Sequence, residues 1–105
     1  MTPDSRIAAL LEFLKEDPAD AETKYMLALE YIKSGNDSNA LVWMNNLHQS
    51  HPDYLPNYYH YGKLLERTGA SETAMMVYLE GMNKAKSKND MHTHSELQGA
   101  REMME

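Results

Sequence analysis

Residues 21–52 read AETKYMLALEYIKSGNDSNALVWMNNLHQSHP, and the residues that follow repeat this pattern 34 positions later. Leu27 falls on Tyr61, Ala28 on Gly62 and Tyr31 on Leu65. Gly35 falls on Gly69, Ala40 on Ala74 and Met44 on Tyr78, and moving backwards Pro52 falls on Pro18. Within the unit, Leu27, Ala28 and Tyr31 share one face of a helix, and Ala40, Met44 and Leu47 recur at helical spacing. Gly35-Asn36 between them supplies the left-handed turn that closes a helix. Each unit is therefore a helical hairpin, and a fixed period of this length means hairpins stacked on copies of themselves.

Outward from that stretch, the second unit keeps the same choices. A helix over about Leu55–Thr68 turns Tyr58, Tyr61, Gly62 and Leu65 inward, and a helix over about Glu72–Ser87 does the same with Ala74, Tyr78 and Gly81. Gly62 inside a helix costs up to about 1 kcal/mol in propensity, which points to a close helix crossing. Ala40 and Ala74 are small for the same reason. Asp37 or Ser38 is expected to cap the third helix, and Ser71 the fifth. Lys86 stands where a proline is expected, so the fifth helix should run on a little longer.

Before the repeats, Thr2, Pro3 and Asp4 suit the start of a helix that must end ahead of Asp17-Pro18. Its stripe is Ile7, Leu10, Leu11 and Leu14, widened by Phe13. Aligned on Pro18, this segment matches only the second half of a unit, as an atypical end repeat would. After the repeats, Lys88-Asn89-Asp90 breaks the chain. A last helix over about Thr93–Met104 carries two capping boxes, Thr93-x-x-Glu96 and Ser95-x-x-Gln98, and an apolar stripe of Leu97, Ala100, Met103 and Met104.

The glycine, alanine and proline in phase over residues 18–87 resemble the tetratricopeptide repeat. Lys24 stands where tryptophan would open the first unit, and Tyr58 fills that slot in the second. The resemblance implies an all-α, right-handed stack of antiparallel helix pairs, about six helices in one domain over residues 1–105. Its parts would be an N-terminal half-repeat (1–17), two repeats (21–52 and 55–87) and a C-terminal capping helix (91–105). It also implies a non-catalytic adaptor that binds a peptide or a partner helix in a concave groove lined by the first helix of each pair.

Subtracting the core positions leaves the other faces of those first helices. In the first unit they show Glu22, Tyr25, Met26, Leu29, Ile32 and Lys33; in the second, Tyr59, His60, Lys63, Glu66 and Arg67. Tyr25, Leu29, Lys33, Tyr59, His60, Lys63 and Arg67 are the candidate groove residues, since aromatic and aliphatic anchors beside cations suit a peptide. The alternative is that Tyr25, Met26 and Leu29 pack against the first and last helices as core. Some relatives clamp a C-terminal carboxylate with lysine and asparagine; Tyr25, Leu29 and His60 occupy those places here, so that clamp is not supported.

Composition excludes several classes. A hydrophobic content of 42% with 25% charged residues is that of a globular chain. The net charge of −6 argues against nucleic acid, which needs a basic stripe. The local basic run Lys84, Lys86, Lys88 closes a helix, where cations are favoured. Acids crowd the start (Asp4, Glu12, Glu16, Asp17, Asp20, Glu22), giving a solvated end that would also steer a basic partner. With no cysteine there is no disulfide or thiolate chemistry. No span of about 20 apolar residues occurs, so no membrane partner is expected and the location expected is cytoplasmic.

No catalytic motif is present, and no cofactor is expected. His48, His51, His60, His92 and His94 are read as solvent-facing or helix-end residues rather than metal ligands, because nothing in the sequence converges four ligands on them. Val42, Trp43 and Met76 form a candidate outer patch for self-association, the alternative reading of function; Trp43 packed between helices is its structural counterpart. A metal-binding protein or small enzyme is the third reading.

Overall fold

A computed structural model describes residues 2–104, and its described residues form six α-helices: α1 Pro3–Glu16, α2 Ala21–Lys33, α3 Asp37–Ser50, α4 Pro56–Arg67, α5 Ser71–Ser87 and α6 Met91–Glu102. The fold is all-α, a series of helical hairpins as the period leads one to expect. Contacts group the chain into two compact units, Met1–His51 and Pro52–Glu105. The boundary falls at the proline that closes the first repeat.

In the first unit, α2 packs against both α1 and α3. Thr2 caps α1 by accepting from the Ser5 N–H at 3.2 Å, and Asp20 caps α2 by accepting from the Thr23 N–H at 3.1 Å. The α2–α3 turn is built on Gly35, whose φ of 79° lies in the left-handed region. There the Asn36 N–H donates to the Tyr31 carbonyl at 2.8 Å and the Gly35 N–H to that of Ile32 at 3.0 Å, the paired bonds that satisfy a helix's last carbonyls. The cap of α3 is then Asn36, which accepts from the Asn39 N–H at 3.1 Å. Asp37 and Ser38 are already helical, so the expected cap lies one or two residues too late.

The inward stripe of this unit is Leu27, Ala28, Ala40, Met44 and Leu47, all fully buried. Tyr31, expected among them, is only half-buried. Lys24, in the slot of a large aromatic, is 7% exposed; its four-carbon stem fills that slot as apolar surface. On α1 only Leu14 is buried, while Leu11 and Phe13 stand out into solvent.

In the second unit, α5 packs against α4 and α6, and α6 also touches α4. The turn of the first unit recurs twice. Gly69 (φ 92°) ends α4 and Asn89 (φ 61°) ends α5, with Ala70 N–H to Leu65 carbonyl and Asp90 N–H to Ala85 carbonyl both 2.8 Å. Asparagine tolerates the left-handed conformation well enough to stand in for glycine. Ser71 is not the cap of α5: it is the first helical residue, Ala70 holds the cap position, and no side chain bonds there. Neither capping box of α6 forms. Because Asn89 ends α5, Asp90 is left at the cap, and it accepts from the Thr93 N–H at 3.1 Å and hydroxyl at 2.7 Å.

Tyr58, Leu64, Ala74, Tyr78, Ala85 and Leu97 make the core of this unit. Gly62 and Gly81 mark its closest crossings. A Cβ on Gly62 would enter the Tyr78 ring, and one on Gly81 would meet Leu97 and Tyr58 at 2.7 and 2.8 Å. The single proton of the Tyr58 hydroxyl has two acceptors in reach, the Pro52 carbonyl at 2.6 Å and Glu80 Oε2 at 3.0 Å. Met103 was expected on the apolar stripe of α6, but the helix ends at Glu102 and Met103 is 82% exposed. With Lys86 in place of proline, α5 runs for 17 residues against 14 in α3.

Candidate functional site

On α2, the side away from the core carries Tyr25 and Leu29, both half-buried, with Lys33 exposed beyond them and Met26 alongside at 46% exposure. They share that side because they stand four residues apart, slightly more than one turn. Lys33 extends its ammonium to Oε1 of Glu30 at 3.5 Å. Glu30 is buried, and its Oε1 is also met by Arg6 Nε from α1 at 2.9 Å. Burial pushes the Glu30 carboxyl's pKa up, but the contact and charge of Arg6, with Lys33 behind it, outweigh burial and leave it below its ordinary value.

On α4, three of the candidate residues make one cluster. The Tyr59 and His60 rings meet edge to face, with centroids 5.5 Å apart and planes at 83°. The Lys63 ammonium stands 5.6 Å above the Tyr59 ring centroid, within reach of a cation–π attraction. It also lies 3.8 Å from Glu66 Oε2, which accepts the Tyr78 hydroxyl from α5. Arg67 is exposed one turn beyond Lys63. Burial lowers the His60 imidazole's pKa below its ordinary value, and the Glu96 carboxylate on α6 offsets only part of that.

Each set is thus gathered on its own helix, one per unit. Tyr59-to-Lys63 is an i, i+4 relation that the sequence already displays. The engagement of Glu66 by Tyr78, of His60 by Glu96 and of Glu30 by Arg6 joins residues far apart in the chain, and no local signal points to it.

The other residues singled out by sequence fall as follows. His48, His51 and His94 are half-buried and His92 is exposed. Among the described residues no group of three or more histidine and carboxylate side chains is placed to hold a metal. The basic run is occupied structurally: Lys84 Nζ lies 3.5 Å from Asp53 Oδ1 and Lys88 Nζ donates to the Asp53 carbonyl at 2.8 Å. These bonds pin the end of α5 to the segment that leads into α4. Trp43 is half-buried, whereas Val42 and Met76 are 62% and 71% exposed. Among the described residues no helix is long and apolar enough to cross a membrane.

Neither a family model nor a curated protein matches the chain. Solved structures do. A crystal structure of a tetratricopeptide repeat domain protein from Salinibacter ruber is 38% identical, with a TM-score of 0.77, over 81% of this chain and 94% of that one. A solution NMR structure of a tetratricopeptide repeat domain protein from the same organism is 39% identical, with a TM-score of 0.80, over 84% of this chain and 89% of that one.

Proposed function

The chain belongs to the tetratricopeptide repeat family, and on that premise we propose that it is a non-catalytic adaptor, holding an extended peptide or a partner helix against the outward face of a repeat's first helix, α2 in one unit and α4 in the other. The observation that carries this reading is the α4 cluster. Tyr59 meets both His60 and Lys63 on the outer side of a helix whose inner side, Tyr58, Tyr61 and Leu65, is core. An aromatic ring already held by its neighbours loses little freedom when a ligand covers it, which is why such residues serve as anchors. On α2, Tyr25 and Leu29 with Lys33 offer the matching combination of apolar surface and a cation. The setting proposed is the cytoplasm, with a protein or peptide as partner.

The test is affinity capture from the native host lysate with wild type beside a Tyr25→Ala/Tyr59→Ala/Lys63→Ala variant that keeps its helical circular dichroism. A partner held by wild type and lost by the variant places recognition on these faces. A partner held equally by both refutes that placement.

Self-assembly is the second reading. Val42 and Met76 occupy the same place in the repeat, 34 residues apart, and both are largely exposed. A mass that rises with concentration, and falls back in a Val42→Ser/Met76→Ser variant, would establish it in place of the adaptor.

A further inference from the structure

The first helix is held differently from the others. Of its 14 residues only Leu14 is buried, whereas α2 and α5 bury five each and even the opposite terminal helix, α6, seals Leu97 and Ala100. Ile7 and Leu10 are half-buried, and exposed Leu11 and Phe13 add little to its hold. What α1 also has is a charged contact to its neighbour, Arg6 Nε to Glu30 Oε1 at 2.9 Å, with the Arg6 side chain 36% exposed and that of Glu30 10% exposed. Arg6 Nε is buried and makes no hydrogen bond there, so the contact is held by charge, and among the described residues the second oxygen of that carboxylate is buried without a hydrogen-bond partner. Removing Arg6 therefore leaves a buried carboxylate with only Lys33, at 3.5 Å, to compensate it.

We infer that α1 is a latched strap: it opens from α2 as a separate unit, and the Arg6–Glu30 pair is the latch. Apolar burial sets the free energy of local opening, and α1 has the least of it, so the Arg6–Glu30 contact governs whether the helix stays seated. The latch also reaches the face discussed above. Met26 and Lys33 lie between Glu30 and Leu29 around α2, and Lys33 shares Glu30 with Arg6. When α1 lifts, Glu30 has only Lys33 to hold, and the flank of α2 beside that face opens. This regulatory consequence rests on the peptide-docking reading; the latch itself does not, and its test needs no ligand.

The experiment is native-state hydrogen exchange on the full chain, wild type beside Arg6→Met and Arg6→Lys. Arg6→Met keeps the stem and removes the charge. In wild type, amides over residues 9–16 should exchange at least about tenfold faster than those of α2, α3 and α6. Arg6→Met should speed the α1 amides by a further factor of about 10–100, the range expected when a buried charged group loses its partner, and leave α4–α6 unchanged. Arg6→Lys should fall between. The inference is overturned if α1 exchanges together with α2 and α3. It fails equally if α6 opens as fast as α1, since that would mean simple fraying of chain ends, or if Arg6→Met leaves the α1 amides as they were.

Discussion

Replacing Gly62 by alanine sets two known effects against each other. In a solvent-facing helix the change stabilises by about 0.5–1 kcal/mol, because glycine loses more backbone freedom on folding. At Gly62 the added methyl would lie 2.6 Å from Tyr78 Cζ and 2.7 Å from Cδ1, and nearer still to Cε1. Those are rigid ring atoms of a fully buried side chain whose hydroxyl is tied to Glu66. Forcing a methyl into a packed core costs about 1–3 kcal/mol. If the ring retreats instead, it strains or breaks a hydrogen bond to a carboxylate, about 1.5–3 kcal/mol. Steric cost wins, and Gly62→Ala should destabilise by about 0.5–2.5 kcal/mol after the propensity gain is subtracted. Gly99 in α6 is the internal control, because a Cβ there meets nothing within 4 Å. Gly99→Ala should therefore stabilise by about 0.5–1 kcal/mol. The assay is urea unfolding followed by circular dichroism, with the slope checked for constancy so that midpoints report stability. Adding Tyr78→Phe to Gly62→Ala should recover part of the loss, since the ring is then free to shift. Equal stabilisation by both alanines would mean that α5 does not press Tyr78 against α4, and the crossing described above would be wrong.

Three further outcomes follow from the core and its buried ionisable groups. Ala40→Leu and Ala74→Leu, each at a fully buried position, should lower stability by about 1–3 kcal/mol through overpacking, read as lower urea midpoints. Glu30 has a folded pKa below its unfolded value, so its contribution is complete above the unfolded value, near 4.5, and is lost as pH falls through the folded pKa. Acid unfolding of Glu30→Gln should accordingly be flatter below pH 4.5 than that of wild type; parallel acid limbs would contradict the Arg6–Glu30 pairing. For Tyr58 and Tyr78 the sign is opposite: burial first, then the hydrogen bonds to Glu80 and Glu66, raises both pKa values. Stability from them is present below about pH 10 and declines above it, and tyrosinate absorbance from these two should appear only as the protein unfolds.

Much of this protein was determined by local sequence alone. The period of 34, Gly35 and Gly69 at positive φ, and Ala40, Met44, Ala74 and Tyr78 inside are consequences of residues within one helix or one turn of each other. Such relations survive in a linear reading because helical spacing and turn chemistry act over a few residues. The caps of α3, α5 and α6 were misplaced by one to five residues because the left-handed residue decides where a helix restarts, and Asn89 does so without being glycine. Of the candidate contact residues, the sequence could place Tyr59 over Lys63 and line up Tyr25, Leu29 and Lys33 on α2. Only the tertiary structure decided how tightly they are held. The Tyr78 bond to Glu66, the Glu96 charge near His60 and the Arg6 contact to Glu30 each join different helices. Which helix meets which is set by the packing of whole faces, so a charge pair across that packing has no periodic trace in the chain. The same reason explains Leu11 and Phe13: their spacing marks an apolar stripe, but how much of it a neighbour covers is a property of the assembled unit, and on α1 the cover reaches Leu14 and leaves these two exposed.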